Sequence, residues 1–427
     1  MSAITVAGIV LLMCLFIKMP VFVAVLSGSL SYFLLSPRLP VQIFAQRVSS
    51  GTESITLLAV PFFVAAGVFM NSSGVTSRVM DFCTVVIGRM TGGLAQVNIL
   101  LSTLMGGLSG SALADAAMQS KMLVPEMERQ GYSKEFSSVV TATSSMITPL
   151  IPPGIAMILY GSIANVSIGR LFISGIGVGS LLCLTMMILT YLIAKKRGYA
   201  PIRSEPIGAS EFGRALRRAF LPLCLPVIII SGIRLGVFTP TEAGSVAIVY
   251  ALLLGILYGN MNVRQFLSDV KDTVIITSSI MLIVAAASSF AWVLTKERIP
   301  QQFTELIVSA ISNKYLFLCA VNAFLLVVGM FIEGNAAMIV LVPLLHPVAK
   351  IYGLDDIHFA MIFIFNMAIG SLSPPMGTLM FVTCGITKCK IRTFIREAVP
   401  YYIMLVVILF LLTFIPKITT GLVTWLW

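Results

Sequence analysis

The chain has 427 residues, 58% of them hydrophobic and only 11% charged, with a mean hydropathy of +1.00. No water-soluble domain can bury so much apolar surface beneath so few charges, so lipid is the solvent and a soluble enzyme or receptor is excluded. The net charge of +11 does not mark a nucleic-acid binder, because many of the cations gather in loops between apolar runs.

The first apolar block, about 3–17, lacks a basic start and a small-residue cleavage site. It runs straight into a second block after Pro20, so a retained first span is expected rather than a signal peptide. Further apolar blocks follow near 55–70, 94–108 and 139–165, and residues 171–194 carry no charge at all. A hydrocarbon core of about 30 Å takes roughly 20 helical residues, which that stretch supplies. The least apolar stretch comes next, with Lys195, Lys196, Arg197, Arg203, Arg214, Arg217 and Arg218 against Glu205 and Glu211. Such a loop is expected on the cytoplasmic side. It reads as a connector, 196–218, between a first membrane repeat, 1–195, and a second, 219–427. The second repeat holds blocks near 219–233, 243–258, 315–332, 357–387 and 401–416, with 273–295 free of charge. About ten to twelve crossings are expected in all. Lys388 to Arg396 is a second basic stretch, suited to anionic membrane lipid. Thr239-Pro-Thr-Glu242 reads as a capped helix start, and Trp425 and Trp427 as an interfacial belt.

The chemistry available is narrow. Seven scattered cysteines form no C-x-x-C pair, and His346 and His358 are the only histidines, so zinc, haem and disulfides find no support. Both histidines are assigned to interfacial structure near segment ends. No G-x-x-x-x-G-K-[ST] motif is present, so uphill work must draw on an ion gradient or on a partner. An intramembrane protease would need G-x-S-x-G or H-E-x-x-H contexts that are absent; no enzyme activity is expected.

The two repeats share their punctuation. Gly107, Ala114, Leu123, Pro125, Gly131, Leu150 and Pro152–Pro153 recur, ungapped, 222 positions later as Gly329, Ala336, Leu345, Pro347, Gly353, Leu372 and Pro374–Pro375. Gly/Pro-interrupted apolar segments at matching places in two halves point to a transport site built from broken helices near the bilayer midplane. In the first repeat, Ser109, Gly110 and Ser111 interrupt an apolar region that turns back at Pro125. This predicts a re-entrant hairpin over about 98–130, with Asp115 just past its tip. Ser144, Ser145 and Thr148 then lead into Pro152 and Pro153, where a helix over about 138–165 must break, because proline lacks the N–H and clashes with the carbonyl four residues back. The second repeat predicts a hairpin over about 315–350, its tip at Glu333, Gly334 and Asn335. Its broken helix covers about 357–387 and contains Asn366, Gly370, Ser373, Pro374, Pro375 and Gly377. Hydroxyls and freed carbonyls are hard oxygen ligands for an alkali cation, and half-helix N-termini favour an anion. Asp115 and Glu333 are intramembrane acids and so candidates for function. The plainer alternatives are close helix packing for the glycines and serines, and pairing at a wet hairpin mouth for the acids. The expected fold is an all-α polytopic membrane protein of two inverted repeats, each with a re-entrant helical hairpin and a broken helix.

The runs Ser109-Gly-Ser-Ala-Leu-Ala-Asp115, Ile151-Pro-Pro-Gly154, Phe238-Thr-Pro-Thr-Glu-Ala243 and Ile369-Gly-Ser-Leu-Ser-Pro-Pro-Met-Gly377 closely resemble the large membrane subunit of tripartite ATP-independent periplasmic (TRAP) transporters, within the wider ion transporter superfamily. The resemblance covers essentially the whole chain. It implies Na+-coupled uptake of a small organic acid (sialic acid, a C4-dicarboxylate or a sugar acid) across a Gram-negative inner membrane, by an elevator motion of a transport domain against a scaffold. It also implies two partners, a small four-helix membrane subunit and a periplasmic substrate-binding protein. The small subunit is expected as a separate chain, since this one begins at the large subunit's first span. By the resemblance, Na+ would sit on Ser109, Gly110, Ser111 and Thr148 in one repeat, and on Gly334, Asn335, Gly370 and Ser373 in the other. Asp115 fits the acid that follows the family's Ser-Gly-Ser tip. The alternative is a stand-alone Na+/carboxylate symporter or antiporter of the same superfamily that needs no binding protein.

Overall fold

Proline and glycine set the boundaries of the helices, and hydroxyl or acidic caps start many of them. The computed structural model describes every residue except 1, 18, 38 and 204, and every other side chain except that of Phe16. Helices α1 (Ala3–Phe16), α2 (Val21–Leu34), α3 (Val41–Ser50), α4 (Ala59–Ser72) and α5 (Val75–Ile87) open the chain. The first hairpin region follows as α6 (Gly93–Ser109), α7 (Ala112–Met122) and α8 (Val124–Arg129), then α9 (Lys134–Ser144), a 3-10 turn at Thr148–Leu150 and α10 (Ile155–Ala164). Next come α11 (Ile168–Arg197), α12 (Ala209–Arg234), α13 (Pro240–Leu257), α14 (Val263–Lys296) and α15 (Ile299–Ala310). The second hairpin region is α16 (Lys314–Gly329) and α17 (Gly334–Ile351), followed by α18 (Asp356–Leu372), α19 (Thr378–Thr387), α20 (Ile391–Phe414) and α21 (Lys417–Leu426). Among the described residues there is no strand.

Among the described residues seven helical segments are long and apolar enough to cross a membrane, or eight where Lys134–Leu150 and Ile155–Ala164, bent by 42°, count as one span. This is fewer than the ten to twelve expected. The difference has a physical cause: Gly and Pro cut several apolar blocks into helices of 10–17 residues, such as Gly93–Ser109 and Thr378–Thr387, too short to span alone.

Helix packing divides the chain. α2 packs on α1 and α14, and α4 on α13 and α14; elsewhere α7 packs on α19, α10 on α17 and α16 on α18. Small residues mark places where the two groups meet. A Cβ on Gly67 of α4 would stand 3.0 Å from the Ser109 carbonyl oxygen, and one on Gly107 of α6 would stand 2.6 Å from Pro226 of α12. Close backbone approach of this kind is what glycine permits between membrane helices.

Among the described residues the connector is irregular only over 198–203 and 205–208, since its first residues belong to α11 and its last to α12. It is tied to both repeats: Ile202 N donates to Gly88 O of the first at 2.9 Å, and Arg197 pairs with Glu397 of α20 in the second at 2.6 Å. Thr239 and Glu242 form the expected capping box, with Thr239 N donating to Glu242 Oε2 at 2.7 Å.

The ungapped repeat ends at Pro375. Pro152–Pro153 and Pro374–Pro375 are both cis, but the next helices begin at Ile155 and Thr378, one position out of the 222 register. Met376 is the extra residue, and its N–H donates to Met330 O at 3.2 Å.

Candidate functional site

The chain reverses at Gly110, which adopts the left-handed conformation (φ 60°). A Cβ there would lie 2.3 Å from Pro153 O, so the tip rests directly on the backbone of the proline break. Ser111 then caps α7, its hydroxyl accepting from Ala114 N at 3.4 Å. In the second repeat Glu333 caps α17, its carboxylate accepting from Ala336 N at 3.1 Å. A Cβ on Gly334 would meet Met367 Cβ of α18 at 3.3 Å.

These two tips face one cavity of about 90 Å³. Its polar and backbone lining comes from Gly110, Ser111, Glu333, Gly334, Asn335 and Ser371, with apolar walls from Met338, Ile364 and Met367. Four helices begin on it. Ala112 and Leu113 open α7, Ile155 and Ala156 open α10, Gly334 and Asn335 open α17, and Thr378 and Leu379 open α19; all eight line the cavity. The first N–H groups of a helix have no intrahelical acceptor. The Ser111 and Glu333 caps take the third N–H of their helices, and Gly154 and Gly377 have no capping side chain. Four positive dipole ends and their free donors therefore converge on one space.

Asp115 lies behind this surface, 2% exposed, in a dense polar network. Ser102 Oγ donates to its Oδ2 at 2.8 Å, Thr148 Oγ1 to the same oxygen at 3.2 Å, and Gln119 Nε2 to its Oδ1 at 2.7 Å. Ser144 Oγ, 3.0 Å from Ser102 Oγ, donates to Asn98 Oδ1 at 2.9 Å, and Asn98 Nδ2 donates to Thr141 Oγ1 at 2.7 Å. Thr148 and Ser144 thus join the acid, whereas Ser145 back-bonds to Thr141 O at 2.8 Å. The sequence motifs do not single out Asn98, Ser102 and Gln119. Their signal was available as polar pairs one turn apart, 98/102 and 115/119, in otherwise apolar segments.

The second repeat has no acid at the corresponding place, where Ala337 stands. Its network runs from Asn366 Nδ2 to Asn322 Oδ1 and from Asn322 Nδ2 to Thr413 Oγ1, both at 2.8 Å. Gly370 packs backbone to backbone on Gly329, where a Cβ would come within 2.5 Å of Cα, and Ser373 Oγ donates to Ile369 O at 2.8 Å. Pro152, Pro374, Pro375 and Gly377 shape the breaks; a Cβ on Gly377 would lie 2.6 Å from Ser373 O. Of the anticipated site residues, Gly110, Ser111, Glu333, Gly334 and Asn335 reach the cavity and the others stand behind it. Ser109 Oγ and Asn366 Oδ1 are buried without a hydrogen-bond partner.

The histidines differ from expectation. Both are buried, His346 at 5% and His358 at 1% exposure, and each finds a polar partner inside the helix packing. His346 Nδ1 meets the Tyr160 hydroxyl at 2.9 Å, and His358 Nδ1 meets Thr419 Oγ1 at 2.8 Å.

Residues 8–418 match the family described as "Tripartite ATP-independent periplasmic transporter, DctM component". The chain is 38% identical to the sialic acid TRAP transporter large permease protein SiaM of Vibrio cholerae, over 95% of each chain. It is 36% identical to the C4-dicarboxylate TRAP transporter large permease protein DctM of Pseudomonas aeruginosa, over 94% of this chain and 93% of that one. Identity to the 2,3-diketo-L-gulonate TRAP transporter large permease protein YiaN of Escherichia coli is 35%, over 90% and 91%. In fold it resembles the YdaH transporter of Alcanivorax borkumensis, with a TM-score of 0.57 at 13% identity over 87% of this chain and 86% of that one. Similarity to MtrF of Neisseria gonorrhoeae gives a TM-score of 0.55, also at 13% identity, over 87% and 83%.

Proposed function

Because the chain belongs to the DctM component family of tripartite ATP-independent periplasmic transporters, we propose that it is the large permease of such a system, driving uptake of a small organic acid with a Na+ gradient. It is a multi-pass transport protein of the bacterial inner membrane. The observation that carries the reading is the convergence of four helix N-termini on one cavity. That arrangement binds a carboxylate through backbone donors and needs no arginine clamp. The relatives' names speak of sialic acid, C4-dicarboxylate and 2,3-diketo-L-gulonate, all acids that such donors would hold.

Na+ coupling draws support from the donor set. Hydroxyls and amide oxygens at Ser109, Ser111, Thr148, Asn335 and Ser373, with carbonyls at Gly110, Gly334 and Gly370, are hard ligands suited to an alkali cation. The unpartnered oxygens of Ser109 and Asn366 fit that use. Asp115 would act one step back, orienting Thr148 through its hydrogen bond. Inverted repeats draw support from the packing, and an elevator motion is part of the same proposal. α9, the equivalent of α18, opens beside the C-terminal end of α11, where Ser133 N donates to the Tyr199 hydroxyl at 3.2 Å. α18 opens beside α21, whose neighbour on α11 is Ser174, near that helix's opposite end.

The test is reconstitution of this chain with its small membrane subunit and its binding protein in liposomes, followed by uptake of candidate acids. Uptake is expected only with all three components and an inward Na+ gradient. Uptake by this chain alone would replace the tripartite reading with a stand-alone carrier, and uptake indifferent to Na+ would overturn the coupling.

A further inference from the structure

Tyr160 and His346 tie the two repeats together. Tyr160 lies on α10, fully buried, and its hydroxyl is 2.9 Å from His346 Nδ1 on α17. The opposite ring nitrogen, Nε2, stands 3.2 Å from Asp356 Oδ1 at the start of α18, and Lys350 Nζ stands 3.6 Å from the other oxygen of that carboxylate. The Asp356 side chain is 41% exposed, so this row of polar groups reaches from solvent to a buried contact between repeats. α10 and α17 both begin on the cavity. Their mutual placement therefore sets the spacing of two of the four helix ends there.

The equivalent joint in the other repeat has no such chemistry. There α7 packs on α19, Val124 at the start of α8 stands where α17 has His346, and Thr383 stands where α10 has Tyr160. Thr383 Oγ1 has no hydrogen-bond partner. The polar joint exists on one side of the pseudo-symmetric pair only.

We propose that His346 is a positioning residue whose protonation loosens α10 from α17, making the cavity's geometry, and so transport, sensitive to pH. With His346 neutral, Nδ1 accepts the Tyr160 proton and Nε2–H faces Asp356. A proton added at Nδ1 makes Tyr160 the acceptor, and its own O–H loses the acceptor it had in this buried joint. A buried donor without an acceptor is unfavourable. The charged groups that act on His346 are Asp356 from α18 and Lys350 from α17 itself, and α10 contributes Tyr160. Among the described residues none from α14, α15 or α16 lies within ion-pair distance of it. Asp356 steadies the added charge while the Tyr160 hydroxyl is left without an acceptor for its own proton. The sign follows: the tight joint belongs to the neutral imidazole and weakens as pH falls and Nδ1 takes up a proton.

The inference concerns the fold of this chain and is tested without substrate, so its failure is separable from failure of the transport reading. Hydrogen–deuterium exchange of the purified complex gives protection factors for 155–164 and 334–351 across pH 5.5 to 8. In the unaltered protein protection in both segments is expected to drop severalfold on acidification. His346→Gln, which keeps a neutral polar side chain, and Tyr160→Phe are both expected to abolish that dependence. His358→Gln, altering the only other histidine, is expected to leave it intact. Protection independent of pH in the unaltered protein, or a pH dependence that survives His346→Gln, overturns the proposal. Where uptake is measurable, the same substitution is expected to flatten the pH profile of KM with the maximal rate at pH 8 within about twofold (about 0.4 kcal/mol).

Discussion

Ser111 and Glu333 stand 222 residues apart and do the same work, each capping the helix that leads away from a chain reversal by accepting from the N–H three residues on. The correspondence extends outward from them. α7 and α17 start at Ala112 and Gly334, and α9 and α18 start at Lys134 and Asp356, where Ser133 and Asp355 are the caps. Even a surface ion pair is kept with its charges exchanged: Lys134–Glu128 in the first repeat and Asp356–Lys350 in the second, both at 3.6 Å. The geometry is retained while the charges change place.

Replacing either cap separates geometry from charge. Glu333→Gln keeps an oxygen acceptor for Ala336 N, so melting of the purified complex is expected near that of the unaltered protein. Glu333→Ala and Ser111→Ala remove the acceptor and should each cost about 1 kcal/mol, measured as a lowered melting temperature. Equal melting of Glu333→Gln and Glu333→Ala would show that the capping contact contributes nothing.

The free donors at the cavity can be deleted one at a time. Proline is accommodated at the first position of a helix, where the N–H has no intrahelical acceptor. Gly377, just before α19, already has the extended conformation (φ −54°, ψ 112°) that precedes proline comfortably. Thr378→Pro should therefore leave α19 folded while removing one N–H from the cavity. A hydrogen bond to a charged group contributes about 1.5–3 kcal/mol, so substrate affinity is expected to fall at least tenfold with little change in melting temperature. Calorimetric titration of the complex checks this, and unchanged affinity would remove that donor from the site.

Asp115 is a different case, because it accepts three hydrogen bonds and none of its partners needs it as a donor. Asp115→Asn would leave one acceptor oxygen where the carboxylate has two, so one of the three donors must turn to another acceptor, at a cost of about 1–3 kcal/mol. Thr148 loses its anchor. The expected outcome is a Na+ half-saturation for uptake raised about tenfold while substrate dependence at saturating Na+ changes little. A matched rise in both would point to general unfolding of the hairpin instead.

How much of this was legible in the sequence depends on what each feature needed. The turn at Gly110, the break at Pro152–Pro153 and the caps at Ser111 and Thr239 follow from backbone rules that act within a few residues, and those residues announce them. Whether Asp115 faces the cavity or a network behind it depends on which side of α7 meets α6 and the turn at Thr148. Ser102 and Gln119 acquire meaning only through that packing. The burial of His346 has the same cause, since its partner Tyr160 lies 186 positions away. Met376, which puts α19 one position out of register, could be placed only once both breaks were seen side by side.

Gly370 and Gly385 offer a matched pair for the packing argument. Both lie inside helices, α18 and α19, where exchanging glycine for alanine normally stabilises by about 0.5–1 kcal/mol. A Cβ on Gly385 meets nothing within 4 Å, so Gly385→Ala is expected to raise the melting temperature slightly and leave uptake alone. A Cβ on Gly370 would lie 2.5 Å from Gly329 Cα and 2.9 Å from its carbonyl oxygen, backbone atoms that cannot rotate away. Gly370→Ala must push α16 from α18, at an overpacking cost of about 1–3 kcal/mol. Because α16 leads into the Glu333–Asn335 tip, the displacement would carry to the cavity, and uptake should fall further than stability does. Thermal melting and uptake measured on both variants decide the matter: if Gly370→Ala behaves like Gly385→Ala, the close approach of the two backbones does not hold the second tip in place.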